Sequence, residues 1–160
     1  MKPLRYKSYL LIILLVIHTF IFADRTLLGL VMQDIKLDLD LSDTQLGLLS
    51  GIAFAFFYSL MGIPLARWAD RGNRITLTAL TTALWAVMMM LSGMVTSFVQ
   101  LLLVRVGIAV GEAGCLPTAQ SLIADYFNRA ERPRATSIYM LGGSFSMGLA
   151  YLVGGWLNEE

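Results

Sequence analysis

The stretch "ARWADRGNRI", residues 66–75, places four charged side chains within eight positions of an otherwise apolar chain. Those side chains are Arg67, Asp70, Arg71 and Arg74. The 160-residue chain is 57% hydrophobic and only 14% charged, whereas soluble domains are about 25% charged. Apolar runs flank the stretch on both sides, and a membrane-spanning helix needs roughly 20 such residues. The pattern therefore predicts a membrane protein in which residues 66–75 form a short turn in water between two spans.

Five apolar runs are long enough to cross a bilayer as helices. They lack the alternating pattern of roughly ten residues that barrel strands show, and only helices or closed barrels satisfy the backbone in hydrocarbon. The predicted fold is an all-α membrane protein with five transmembrane helices. We place the spans near residues 8–31, 43–66, 75–96, 98–123 and 136–157.

The distribution of basic residues predicts the orientation of these spans. Nine of the twelve Lys and Arg residues lie before the first span, between the second and third, or between the fourth and fifth. The links on the opposite side are acidic or neutral. By the positive-inside rule, the N-terminus is predicted to be cytoplasmic in a multi-pass protein of the cell membrane, and residues 66–75 form a cytoplasmic turn.

Four ionisable side chains lie inside predicted spans: Asp24 and Arg25 in the first, Arg105 and Glu112 in the fourth. A charge near the bilayer centre costs about 2.5 to 3.5 kcal/mol on insertion scales, so these groups should face protein or water. Arg105 and Glu112 are two helical turns apart and share a face. If both spans line one cavity, Arg25 can pair with Glu112 across it. Two interpretations stay open: a structural ion pair, or a site at which Glu112 or Asp24 exchanges a proton.

Small residues recur at four-residue intervals in the fourth predicted span, at Gly107, Gly111, Cys115 and Ala119. Such a stripe lets helix backbones approach closely. It indicates either ordinary packing within the bundle or a face that slides during a conformational change.

Several other classes of protein are disfavoured by what the sequence lacks. One cysteine and one histidine cannot form a disulfide framework or a Cys/His zinc cluster, so no metal is predicted. The only histidine is His18, and there is no Ser-x-x-Lys arrangement or glycine-flanked serine elbow, so we predict that the protein is not an enzyme. No nucleic-acid partner is expected, because the few basic residues adjoin the membrane. No cofactor is expected either, since "GGSFSMG" lies in an apolar span without a strand-turn-helix context.

The stretch "ARWADRGNR" resembles the signature between the second and third spans of the major facilitator superfamily, G-x-x-x-D-R-x-G-R. Asp70, Arg71 and Arg74 match this pattern, while Ala66 and Asn73 replace its glycines. The version D-R-x-N-R resembles the spinster-like branch. Further resemblance lies in "FADR" (residues 22–25), "RVGIAVGEAG" (105–114), "IADYF" (123–127) and "GGSFSMGLAYLVGG" (142–155).

The resemblance implies a twelve-span secondary transporter built from two six-span halves. This chain would hold most of the N-terminal half, and the missing C-terminal half would be its partner. Such carriers hold substrate near the midplane and rock one half against the other, and spans one and four line the cavity. Spinster-like carriers are associated with lysolipids and sphingoid lipids, so the expected substrate is an amphipathic or anionic solute. Glu112 or Asp24 would couple its transport to protons, and a facilitative carrier is the alternative to this coupling. A sugar-acid or organic-anion carrier is the first alternative, and a non-transporting membrane fragment is the second.

The resemblance also assigns a role to the charged stretch. Asp70 is expected to meet the N-terminus of a helix in the second half, where the positive end of the helix dipole favours an anion. Arg74 is expected to reach Asp125 at the end of span four. Together with Arg71, these residues would form a cytoplasmic gate that closes the outward-facing state. The alternative is that the arginines only fix the topology.

Overall fold

The computed structural model describes residues 4–158, and the side chains of residues 6–155. Within this range the chain forms five long helices, and all five are long and apolar enough to cross a membrane. This result confirms the predicted all-α architecture. The helices are α1 (Leu4–Asp38), α2 (Asp43–Arg71), α3 (Arg74–Ser92), α4 (Phe98–Tyr126) and α5 (Arg132–Asn158).

The turn between α2 and α3 is shorter than the predicted turn, which covered the whole charged stretch of residues 66–75. Helix α2 continues to Arg71 and α3 begins at Arg74, so only Gly72 and Asn73 lie between them. Asn73 caps α3, because its side-chain oxygen accepts hydrogen bonds from the N–H groups of residues 75 and 76 at 3.0 and 3.3 Å. Arg67, Asp70 and Arg71 therefore lie on the last turns of a helix.

The first link is also shorter than the apolar run predicts, because α1 extends well beyond residue 31 to Asp38. Residues 32–38 mix polar and apolar side chains and contain no proline or glycine that would break a helix. The helix stops where Asp40 adopts a positive φ of 48°. The N–H of Leu41 then donates to the carbonyl of Lys36 at 2.9 Å, the bond that closes a Schellman-type helix end.

The same link ends at Ser42, which caps α2. The Ser42 hydroxyl accepts from the N–H of Gln45, and the Gln45 side chain accepts from the N–H of Ser42. These reciprocal bonds are a capping box.

Helix α3 ends at Ser92, short of the predicted end at residue 96. Gly93 follows, and glycine is the weakest helix former apart from proline. The N–H of Thr96 already bonds to the side chain of Gln100 at 2.9 Å, at the start of α4. The apolar composition continues past Ser92, but the helical hydrogen bonds do not.

The chain divides into two compact units. The first unit contains the described residues up to Val31 and from Leu122 onward. In it, α1 and α5 run parallel at a constant spacing in sequence. Lys7 contacts Glu131, 124 positions later, and the same spacing relates His18 to Gly142 and Leu30 to Gly154. A Cβ at Gly142 would lie 2.9 Å from His18 Cδ2 and 3.1 Å from the Leu15 carbonyl oxygen, so glycine permits this close approach.

The second unit contains residues 32–121, and in it α3 and α4 run antiparallel through the stripe of small residues. A Cβ on Gly111 would lie 2.8 Å from the backbone nitrogen of Trp85 and 2.9 Å from the carbonyl oxygen of Thr81. The two backbones are therefore in near contact at this position. Cys115 is buried in the same contact, with its sulfur 3.9 Å from the hydroxyls of Thr81 and Thr82.

Candidate functional site

The four ionisable side chains predicted to form a site within the membrane lie on α1 and α4. Asp24, Arg105 and Glu112 are buried, with exposed fractions of 7%, 5% and 2%. Arg25 is exposed instead, and its guanidinium lies 5.5 Å from the centre of the Phe22 ring. The structure thus divides the predicted set into three buried groups and one surface cation.

The surroundings of α4 explain how its span tolerates two charges. In its most apolar window 56% of the residues are buried, against 6% to 33% in the other four helices. Arg105 and Glu112 are therefore enclosed by protein and not by lipid. This agrees with the expectation that charges within a span face the interior.

His18 and Cys115, the only histidine and cysteine, serve packing. The His18 ring is buried and lies 4.6 Å from the Phe22 ring and 4.3 Å from the Tyr139 ring. The Cys115 thiol donates to the Gly111 carbonyl at 3.4 Å. Among residues 4–158, no group of three or more His, Cys, Asp or Glu side chains is placed to hold a metal ion.

The predicted gate residues lie at helix ends. Arg74 is half-buried, and its Nε donates to the carbonyl of Ala69 at 3.0 Å. A cation in this position satisfies a terminal carbonyl and complements the negative end of the α2 dipole. Asp70 and Arg71 are exposed on the last turn of α2, and within the described part of the chain neither makes a hydrogen bond or ion pair. Asp125 is exposed on the last turn of α4.

The turn between α4 and α5 repeats the device found after α2. Arg132 Nε donates to the Phe127 carbonyl at 3.1 Å, five positions back, just as Arg74 reaches Ala69. Its Nη2 donates to the Ala124 carbonyl at 2.6 Å. An arginine thus caps the end of the preceding helix in both turns. The sequence predicts Arg74 as a gate residue and Arg132 only as a topology signal, and it does not identify either cap.

A surface ion pair links this turn to the start of α1. The Lys7 ammonium donates to Glu131 at 2.7 Å, and the Asn128 N–H donates to the same carboxylate oxygen at 3.1 Å. The hydrogen bond from Lys7, followed by the one from Asn128, holds the pKa of Glu131 below its usual value. The sequence carried no signal for this pair, because its members are 124 positions apart.

The fold and the buried charges define a multi-pass helical membrane protein with ionisable groups enclosed inside its spans. A model of the Major Facilitator Superfamily matches residues 14–160. The chain belongs to this superfamily. The predicted membrane fold and family are confirmed, and the members it resembles are transporters and not enzymes.

Known relatives refine this placement. A crystal structure of a bacterial homologue of the human lysosomal transporter Spinster, inward-facing and occupied, superposes with a TM-score of 0.90 at 48% identity, over 98% of this chain and 33% of that one. An MFS-type efflux pump of Mycolicibacterium smegmatis is 38% identical over 92% of this chain and 34% of its own length. A probable L-galactonate transporter of Escherichia coli is 30% identical over 84% and 31%. The chain is spinster-like and spans about a third of the length of these relatives.

Proposed function

We propose that this chain provides the N-terminal spans of a proton-coupled secondary transporter that works by alternating access. The main support for this proposal is the burial of Asp24, Arg105 and Glu112 within α1 and α4. Each such charge opposes membrane insertion by about 2.5 to 3.5 kcal/mol. A chain that needed only to span the bilayer would gain nothing from three of them.

The buried groups have the chemistry that proton coupling requires. Adding a proton to a buried carboxylate changes the charge of a region that also holds a buried guanidinium. Protonation therefore changes the relative stability of the helix arrangements between which the carrier alternates. We assign Glu112 as the first proton carrier because it is the most deeply buried of the three. Asp24 is the second candidate.

We assign Arg25 to the solute. Its guanidinium is exposed in the middle of α1, away from the helix ends, and guanidinium binds phosphate and carboxylate groups through paired hydrogen bonds. The spinster-like character of the chain supports an amphipathic solute such as a lysolipid or a sphingoid lipid. A sugar acid is the second candidate, which the similarity to the probable L-galactonate transporter supports.

We further propose that the N-terminus is cytoplasmic and that Asp70, Arg71, Arg74 and Asp125 form a gate on that side. The positive-inside distribution supports the orientation. The exposure of Asp70 and Arg71 on the last turn of α2 supports the gate, because both side chains are available to a partner helix. Asp70 would meet the N-terminus of a helix in the C-terminal half of the carrier.

Transport by the complete protein in liposomes tests this proposal. A fluorescent lysophospholipid placed in the inner leaflet should become extractable by external albumin faster than in protein-free liposomes. In a parallel assay, liposomes loaded with L-galactonate should exchange it for labelled L-galactonate if the second candidate is correct. Movement of one solute and not the other selects between the two substrate classes. Movement of neither would contradict the assignment of Arg25 to such solutes.

A further inference from the structure

A cavity of about 460 Å³ lies in the first unit, between the start of α1 and the start of α5. Its lining includes the apolar side chains of Leu11, Phe127 and Ile138. It also includes the charged side chains of Lys7, Glu131 and Arg134. We call this space the interfacial cavity. None of its residues belongs to the proposed proton site or gate.

The lining of the interfacial cavity contains two cations, Lys7 and Arg134, and one anion, Glu131. Lys7 is bonded to Glu131 at 2.7 Å and also lies 5.5 Å from the centre of the Phe127 ring. Arg134 is exposed, and with respect to residues 4–158 it makes no hydrogen bond or ion pair. The cavity therefore holds a neutralised pair beside an available guanidinium.

Arg134 lies at the helix end where a cation is least favoured. It is in the first turn of α5, which contains no acidic residue, and the adjacent carboxylate of Glu131 is already paired with Lys7. The N-terminus of a helix carries the positive end of the dipole and favours negative charge. An anion bound in the interfacial cavity would neutralise both the guanidinium and the helix end.

The depth of the interfacial cavity identifies the kind of anion. The apolar runs of α1 and α5 begin near residues 8 and 136, and the cavity is lined from both helices at that level, so it lies where both helices would enter a membrane. That level is occupied by lipid headgroups. The stacked rings of Tyr6 and Tyr126, 5.4 Å apart, agree with this depth, because tyrosine is enriched at membrane interfaces.

We propose that the interfacial cavity binds the headgroup of an anionic phospholipid. Arg134 would hold the phosphodiester through paired N–H donors, and the apolar side chains of the lining would contact the glycerol and the first methylenes of an acyl chain. Basic pockets between membrane helices are suited to anionic headgroups. A zwitterionic lipid is less suited, because Lys7 already occupies the carboxylate that its ammonium would need. This site does not depend on the identity of the transported solute.

The test measures lipid binding to the complete protein in detergent by native mass spectrometry, with dioleoyl phosphatidylglycerol and dioleoyl phosphatidylcholine as probes. We expect the native protein to bind phosphatidylglycerol more tightly. Arg134→Gln should raise the Kd for phosphatidylglycerol about fivefold, the effect of one interfacial basic residue. The Kd for phosphatidylcholine should not change.

The matched control is Arg129→Gln. This variant removes an exposed arginine five residues earlier in the chain, which does not line the cavity. It should leave the phosphatidylglycerol Kd unchanged. A second variant, Ala130→Trp, fills the interfacial cavity from an exposed position in its lining and keeps every charge. It should also weaken phosphatidylglycerol binding. This second variant keeps the proposal testable if Arg134→Gln fails to fold.

Three results would overturn the proposal. Equal affinity of the native protein for the two lipids would remove the anion preference. Equal effects of Arg134→Gln and Arg129→Gln would reduce the preference to general surface charge. Displacement of phosphatidylglycerol by equimolar glycerol 3-phosphate would assign the site to a soluble anion and not to a lipid.

Discussion

Glu131 lies in the turn before α5, where its carboxylate accepts hydrogen bonds from the Lys7 ammonium and from the Asn128 N–H. These bonds favour the ionised carboxylate and lower its pKa. Because the pKa is lower in the folded protein than in the unfolded chain, the contact stabilises the fold at any pH above the unfolded value. The stabilisation is lost as the pH falls through the folded value.

We expect Glu131→Gln to lower the Tm of the detergent-solubilised protein at about pH 7, and the difference from the native protein to shrink as the pH falls through the lowered pKa of Glu131. The difference will be small, because the pair is exposed to solvent. Thermal melts followed by circular dichroism at several pH values measure it. Asp38→Asn, which changes an exposed carboxylate on α1, should show no such trend. A Tm difference that grows as the pH is lowered from about 7 would contradict this account of the Glu131 pKa.

Single residues also show where sequence reasoning stops. Asp24 and Arg25 are adjacent and were predicted together, yet only Asp24 is buried. Neighbouring side chains on a helix point about 100° apart, so both cannot face the same interior. Apolar residues occupy every side of α1, so its sequence does not indicate which side is buried. The charges were predictable, but the rotation of the helix that carries them was not.

At the scale of elements, the contact between α3 and α4 depends on glycines whose neighbours differ. At Gly111 an added Cβ would meet backbone atoms of Trp85 and Thr81, at 2.8 and 2.9 Å. At Gly107, one turn earlier, it would meet side-chain atoms of Met88 at 2.7 Å. Backbone atoms of a packed helix cannot move aside, whereas an unbranched methionine can adopt another rotamer.

Gly111→Ala should therefore destabilise the protein by about 1 to 3 kcal/mol, the usual cost of overpacking. Gly107→Ala should be close to neutral, because the alanine gains roughly 0.5 to 1 kcal/mol in a helix interior and Met88 can move. Unfolding free energies in mixed micelles compare the two variants. Equal losses for both would contradict a backbone contact at Gly111.

The number of helices was predictable from the sequence, but their ends were not. Apolar length alone located all five spans, since only segments of that length can cross a bilayer. The predicted ends were less accurate. Helix α1 continues to Asp38 through a segment of mixed polarity, and α3 stops at Ser92 although apolar residues follow. Hydrogen-bonded caps set those ends, and apolar composition does not encode them. The wider π turn at Leu48–Ile52 within α2 also has no counterpart in the apolar pattern.

At the scale of the whole molecule, the proposed gate connects this chain to a second half of the carrier. Asp70 was found from its motif, whereas its proposed partner helix belongs to the other half. The sequence therefore predicted Asp70 as a gate residue but could not identify the residues that it would contact. The exposure of Asp70 on the last turn of α2 is the structural condition that such a contact requires.

Asp70→Asn in the complete carrier should shift the resting population toward the inward-facing state. An anion at a helix N-terminus is worth about 0.3 to 1 kcal/mol, so the shift should be about two- to fivefold. Labelling of single cysteines on α1 by an impermeant reagent on the cytoplasmic side measures it, with Cys115 replaced by alanine. Asp40→Asn is the matched control, because Asp40 is exposed at a positive φ that asparagine also adopts. Unchanged labelling in Asp70→Asn would contradict the gate.

The central claim is that Glu112 carries the coupled proton. Uptake of the transported solute into liposomes, at equilibrium and with or without a pH gradient, tests it most directly. Glu131→Gln removes a carboxylate outside the spans and serves as the control; this variant and the native protein should concentrate solute when the gradient is applied. Glu112→Gln should equilibrate solute without concentrating it. Gradient-driven accumulation that survives in Glu112→Gln would contradict the claim.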